Sequence, residues 1–122
     1  MAHILVIEDD VQFRHMLVQM LQQDGHEVAT AGDGVEAMHL LLELRPALIV
    51  TDILMPNMDG VETIMALSRL GDGTPVVAMS GGRRSVTTEF NLDSAALLGA
   101  TATLAKPFSR TDLRKAIEKA LA

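Results

Sequence analysis

The 122-residue chain has no cysteine, no tryptophan and no tyrosine, and only three phenylalanines. The first absence excludes a disulfide framework, a thiol nucleophile and any cysteine-based zinc site. The second leaves no Trp or Tyr to stack on a flavin, and Leu, Val, Ala and eight Met must fill the core instead. Positive charge is in deficit: ten Lys and Arg stand against sixteen Asp and Glu, for a net charge of −6. Phosphate neutralisation needs clustered cations, so the expectation is no direct contact with nucleic acid. No apolar run approaches the roughly 18 residues of a membrane span, and no charged-then-apolar leader opens the chain. The expectation is a cytoplasmic protein with no membrane role. Hydrophobic residues make up 48%, and the length suits one core and not two. A single domain over residues 1–122, with no output domain, follows as the expectation.

What is present is an alternation of strand and helix, repeated five times. His3–Ile7 is a short apolar run whose unbroken hydrophobicity suits a strand buried on both faces. Phe13, Met16, Leu17, Met20 and Leu21 then repeat at helical spacing, and Asp24-Gly25 stops them. Glu27–Ala31 is a weaker second strand. The second helix runs from about Val35 to Leu44, carrying Ala37, Leu41 and Leu44, with Pro46 closing it. Leu48–Thr51 reads as a buried third strand with Asp52 at its end. A third helix is expected from about Gly60 to Leu70, with Asp59 as its cap. Pro75–Ser80 is the fourth strand, Gly81–Ser85 a loop, and a helix including Leu92–Leu98 ends at Gly99. Ala100–Ala105 is the fifth strand. Ser109 and Asp112 form a capping box for a last helix carrying Leu113, Ile117, Ala120 and Leu121. Five strand–helix units with short connections imply a parallel sheet with helices on both faces.

The chemistry-bearing residues coincide in position. Glu8 and Asp9, Asp52, Ser80 and Lys106 all fall at carboxyl ends of strands, where doubly wound sheets bind ligands. Carboxylates gathered there stay ionised together only with a cation among them. An oxygen-only ligand set selects a hard ion, Mg²⁺ or Mn²⁺. Such an ion takes one or two carboxylates, which leaves another as a nucleophile; an aspartate attacking phosphorus gives an acyl phosphate. Phosphoryl transfer needs mainly charge neutralisation around three oxygens, for which the ion, the Lys106 ammonium and the Ser80 hydroxyl are suited. Asp10 reads as a helix-start acid, and Arg83 and Arg84 as a solvated loop. The four histidines show no metal spacing.

The runs I-L-V-I-E-D-D, T-D-I-L-M-P-N-M-D-G, V-V-A-M-S-G and G-A-T-A-T-L-A-K-P-F together resemble the receiver domain of two-component response regulators, and they span essentially the whole chain. The resemblance implies a flavodoxin-like (βα)5 fold with strand order 2-1-3-4-5. It implies that Asp52 accepts a phosphoryl group from a sensor histidine kinase or a histidine phosphotransfer protein. Glu8, Asp9, Asp52 and the backbone carbonyl of Leu54 would hold Mg²⁺, Lys106 would contact the phosphoryl group, and Ser80 would turn inward to bond it. The surface of the fourth helix, fifth strand and fifth helix would then change its affinity for a downstream protein. By this resemblance the chain is a signalling domain that assists its own phosphorylation and dephosphorylation, and not an enzyme in the ordinary sense.

Three departures from the family pattern stand out. Glu8 replaces the commoner Asp, Thr103 occupies a position often aromatic, and the interval from Ser80 to Lys106 is a few residues longer, with the excess assigned to Gly81–Thr88. The resemblance also directs attention to Leu54 and Gly82, positions with which the family tunes phosphoryl lifetime; they pull in opposite directions here. The competing readings are a pseudo-receiver that binds proteins without phosphorylation and a metal-dependent phosphohydrolase. The second lacks a catalytic acid two residues after Asp52.

Overall fold

The computed structural model describes residues 2–52, 73–80 and 100–122. Within them lie β1 (His3–Ile7), α1 (Val11–Gln23), β2 (Glu27–Ala31), α2 (Gly34–Leu44), β3 (Leu48–Asp52), β4 (Val76–Ser80), β5 (Ala102–Ala105) and α3 (Arg110–Leu121). The expected third helix with its Asp59 cap, the Gly81–Ser85 loop and the helix ending at Gly99 lie outside the described residues, as do Leu54, Gly82, Arg83 and Arg84.

All strand pairs are parallel, and the order is β2-β1-β3-β4-β5. β1 is fully buried after its first residue, and every residue of β3 and β4 is buried. That explains why these segments read as continuous apolar runs: a strand covered on both faces has no solvent side to mark with polar residues. The alternation of side chains divides them between two cores. Ile4, Val6, Leu48, Val50, Val77, Met79, Ala102 and Leu104 meet Leu17 and Leu21 of α1 and Leu113, Ala116 and Ile117 of α3. Leu5, Ile7, Ile49 and Ala78 meet Ala37 and Leu41 of α2 on the other face. Each fully buried Leu or Ile stabilises by roughly 1.5–3 kcal/mol relative to exposure.

The helix ends follow side-chain chemistry. Asp10 and Asp33 accept the backbone N–H groups of Phe13 and Glu36 at the starts of α1 and α2. The Ser109–Asp112 capping box is formed in both directions. α1 stops at Asp24, followed by Gly25 at φ 89, a conformation that suits glycine. α2 is ended by Arg45 in the left-handed region (φ 47), one residue before the proline expected to close it.

Four details differ from the sequence reading. Asp52 is the last residue of β3 and pairs with Met79, so its backbone belongs to the sheet. β5 begins at Ala102: the Thr101 N–H donates to the Val76 carbonyl, while the Val76 N–H donates to the Thr101 hydroxyl and not to a backbone carbonyl. Leu44 and Leu121, placed on buried stripes by spacing, are 49% and 42% exposed at the last turns of their helices. Met16 is likewise exposed, and only Leu17 and Leu21 of α1 are fully buried.

Candidate functional site

The register assembles the site. Ile7 pairs with Ala31 on one side and Thr51 on the other, so Glu8 and Asp52 emerge side by side at the β1–β3 crevice where the winding of the sheet reverses direction. Glu8 stays fastened to the sheet through its N–H, which donates to the carbonyl of Ala31 at 3.0 Å. Ser80 ends β4, and its carbonyl accepts the Lys106 N–H at 2.7 Å, which aligns the end of β5 with that of β4. Glu8 continues the alternation of Ile4 and Val6, Asp52 that of Leu48 and Val50, and Lys106 that of Ala102 and Leu104. All three therefore lie on the face covered by α1 and α3.

Glu8, Asp52 and Ser80 are buried, at 1%, 8% and 2% exposure. The Lys106 ammonium donates to Asp52 Oδ2 at 2.6 Å and to Glu8 Oε1 at 2.9 Å. These are charge-assisted bonds in a poorly solvated place, where they are strong. The peptide bond from Lys106 to Pro107 is cis. Two acids share one base, so ionising both would leave surplus negative charge in the trio. The Glu8 carboxyl is accordingly pushed up to about 8, by burial first and then by the neighbouring Asp52 carboxyl, with Lys106 acting in the opposite sense. For Lys106, burial is the largest single influence and pulls downward. The bonds to Asp52 and Glu8 together outweigh it and raise its affinity for the proton.

The residues fit a hard cation. One carboxylate oxygen from each of Glu8, Asp9 and Asp52 lies within 4.8 Å of the other two. Glu8 Oε2 is buried with no hydrogen-bond partner. A carboxylate oxygen in that condition is costly, and a cation coordinated by the acids would remove the cost. Asp10, by contrast, points to α1 as its cap.

Three groups at the site were not legible as site residues in the sequence. Arg14 Nη1 donates to the Glu8 carbonyl at 2.9 Å, which fixes the backbone from which Glu8 projects. The Phe13 ring lies over the Lys106 ammonium, 4.2 Å from Nζ to the ring centroid. Phe108 meets Phe13 edge to face, with centroids 5.6 Å apart and planes at 88°. Helical spacing assigned Phe13 to the core stripe, and it does pack there as well; nothing in the spacing pointed to a lysine far along the chain.

Fold and site define a class: a doubly wound α/β domain of flavodoxin-like order, with an acidic pocket closed by a lysine at the carboxyl edge of the sheet. The family model of the response regulator receiver domain matches residues 4–118, and the chain belongs to that family. The chain is 38% identical over 113 residues to the response regulator MprA of Mycobacterium sp. strain KMS, covering 92% of this chain and 47% of that protein. It is 34% identical over 110 residues to the DNA-binding response regulator MtrA of Mycolicibacterium paratuberculosis, covering 90% of this chain and 47% of that protein. The chain thus spans about half the length of these relatives. Among solved structures, the Vibrio cholerae chemotaxis protein CheY4 is similar at a TM-score of 0.86 and 32% identity, with 99% of both chains covered. NtrX from Brucella abortus is similar at 0.89 and 30% identity, over 98% of this chain and 26% of that one. Membership makes this a signalling domain of two-component systems. Among the described residues, no helix is long and apolar enough to cross a membrane.

Proposed function

We propose that Asp52 accepts a phosphoryl group from a phosphohistidine on a sensor histidine kinase or a histidine phosphotransfer protein. The observation that carries this reading is the Lys106 ammonium bonded to both Asp52 and Glu8 within the acidic trio. An Asp52 carboxylate oxygen attacks phosphorus, the phosphorus–nitrogen bond to the donor imidazole breaks, and an acyl phosphate results. Lys106, already beside the reacting carboxylate, neutralises a phosphoryl oxygen without having to be recruited. Ser80, at the end of the adjacent strand, supplies a hydroxyl donor to another. Glu8, Asp9 and Asp52, with the Leu54 carbonyl, would hold Mg²⁺, or Mn²⁺ in its place; when bound, the ion supplies charge neutralisation for the incoming phosphoryl group. The same groups lower the barrier for loss of the phosphoryl group to water, so the domain assists both directions of its own switching.

The output is a change in partner binding on the surface that includes the fourth helix of the sequence pattern, β5 and α3. A hollow between β5 and α3, lined by Thr103, Phe108, Lys115 and Lys119 among others, supports this assignment. The expectation of no direct contact with nucleic acid is not supported. It rested on the charge of these 122 residues, and a relative twice as long is named as DNA-binding. A protein that carries this domain can act on DNA through residues beyond the matched region.

The test is intact mass after incubation with acetyl phosphate and Mg²⁺, for the native chain and for Asp52→Ala. The expected result is one added phosphoryl group, dependent on Mg²⁺ and absent from the variant. No addition, together with no binding of beryllofluoride, would overturn the reading in favour of a phosphorylation-independent binding module.

A further inference from the structure

The chain has three phenylalanines, and two of them meet beside its most constrained lysine. We propose that Phe13 is a positioning residue for Lys106, its ring face holding the ammonium against Asp52 and Glu8.

The geometry supports this from both sides. Lys106 Nζ has three protons to donate. Two are directed at Asp52 Oδ2 and Glu8 Oε1, at 2.6 and 2.9 Å. Nζ also sits 4.2 Å from the centroid of the Phe13 ring, within the distance at which a cation is attracted to an aromatic face. The lysine side chain is 14% exposed, so the ring takes the place of water that would otherwise solvate the ammonium and draw it outward. An aliphatic side chain of the same bulk excludes that water too, but leaves the third side of the ammonium with nothing attractive.

The ring is itself held. Its backbone N–H donates to the Asp10 carboxylate at 3.0 Å, so the cap of α1 sets where Phe13 begins. Phe108, two residues after Lys106, meets the Phe13 ring at right angles. An edge-to-face contact of this kind is favoured by the ring quadrupoles. It ties the segment that carries the lysine to the helix that carries the ring. The next residue of that helix, Arg14, grips the Glu8 carbonyl. The first turn of α1 therefore reaches both the base and one acid of the trio. The geometric part of this inference stands by itself; its consequence for phosphorylation rests on the proposed function.

The experiment uses the full chain with Phe13→Leu, Phe13→Met and trifluorophenylalanine at position 13. Trifluorination keeps the ring but weakens its negative face. The chain has three lysines, so acetylation of Lys106 by limiting acetic anhydride can be read by mass spectrometry against Lys115 and Lys119. Phosphorylation by acetyl phosphate is measured in parallel as a function of Mg²⁺, and thermal unfolding shows that each variant is folded. Loss of one cation–π contact predicts roughly a 5-fold rise in relative Lys106 acetylation in the Leu and Met variants, with the fluorinated ring intermediate. The phosphorylation rate should fall by a similar factor while the half-saturating Mg²⁺ concentration stays unchanged. Lys106 reactivity that is the same for phenylalanine and its trifluoro form would make the ring mere filler and overturn the inference. So would a phosphorylation rate that ignores a large change in Lys106 reactivity. If the native chain takes no phosphoryl group at all, the proposed function fails, and the acetylation series alone decides whether the ring positions the lysine.

Discussion

Two clusters of three charges stand on the α1–α3 side of the molecule, and they are mirror images in composition. At the mouth of the sheet one base, Lys106, lies between two acids, Glu8 and Asp52. At the far end of α1 one acid, Asp24, receives two bases: Arg110 Nη2 at 2.5 Å and Nε at 3.2 Å, and Arg114 Nη2 at 2.9 Å, all on Oδ1. The first cluster is largely buried and has an acid pushed up to about 8. The second has its arginines largely in solvent, and its acid is drawn down to about 2, by Arg114 first and then Arg110. Asp24 is satisfied as a charge and fastens α3 to the end of α1. Glu8 is not satisfied and retains an orphan oxygen. A fold that needed only stability would not keep the first arrangement, since buried surplus charge costs more than it returns. Dissatisfaction of this kind is what the proposed binding of a cation and a phosphoryl group would relieve.

The comparison can be broken by removing charges one at a time. Lys106→Met has the largest expected effect on stability, a loss of about 3 kcal/mol in urea unfolding at neutral pH, because two buried acids then face each other without a base. Glu8→Gln is expected to act in the opposite direction. Its amide keeps an acceptor for Lys106 and gains a donor toward Asp52, so the metal-free chain should gain about 1 kcal/mol. Mg²⁺ at tenfold its dissociation constant stabilises a binding-competent fold by about 1.4 kcal/mol; the native chain should show such a gain and Glu8→Gln should lose most of it. A glutamine variant less stable than the native chain would mean that Glu8 is not in surplus.

Asp24→Asn should have the smallest effect, because ion pairs to solvent-exposed arginines contribute little. Its signature is the pH dependence. The Asp24 carboxyl lies below its ordinary value of 3.8 in the folded chain, so its contribution is full above that value and fades as pH falls toward 2. Melting temperatures of native and Asp24→Asn chains should therefore differ at neutral pH and converge in acid. A difference that persists at pH 2 would assign the effect to something other than ionisation.

Much of the site could be read in advance because a strand is a short object with a period of two. Glu8, Asp52, Ser80 and Lys106 each end an apolar run, and parallel winding brings such ends together. Ser109 announced itself as a cap by residue type and offset, and Asp10, read only as a helix-start acid, is the cap of α1. Periodicity failed at helix ends: Leu44 and Leu121 keep the spacing of a buried stripe but are exposed in the last turns of their helices. It also failed for Phe13 and Arg14, whose roles depend on the first turn of α1 lying over residues from the other end of the chain. A one-dimensional pattern says which face of a helix is apolar, not which distant cation that face will meet.

The strand order has a consequence for the history of each molecule. The trio draws on β1, β3 and the end of β5, and Ser80 comes from the β4 that separates the last two. The β1–β3 pairing closes a longer stretch of chain than β3–β4 or β4–β5, so it costs the most loop entropy. β1 and β3 bring Glu8 and Asp52 together, and β3, β4 and β5 bring Lys106 beside Asp52. The charged trio is therefore complete only when the whole sheet from β1 to β5 is closed, and a chain short of that has Asp52 without its acid neighbour or without its base.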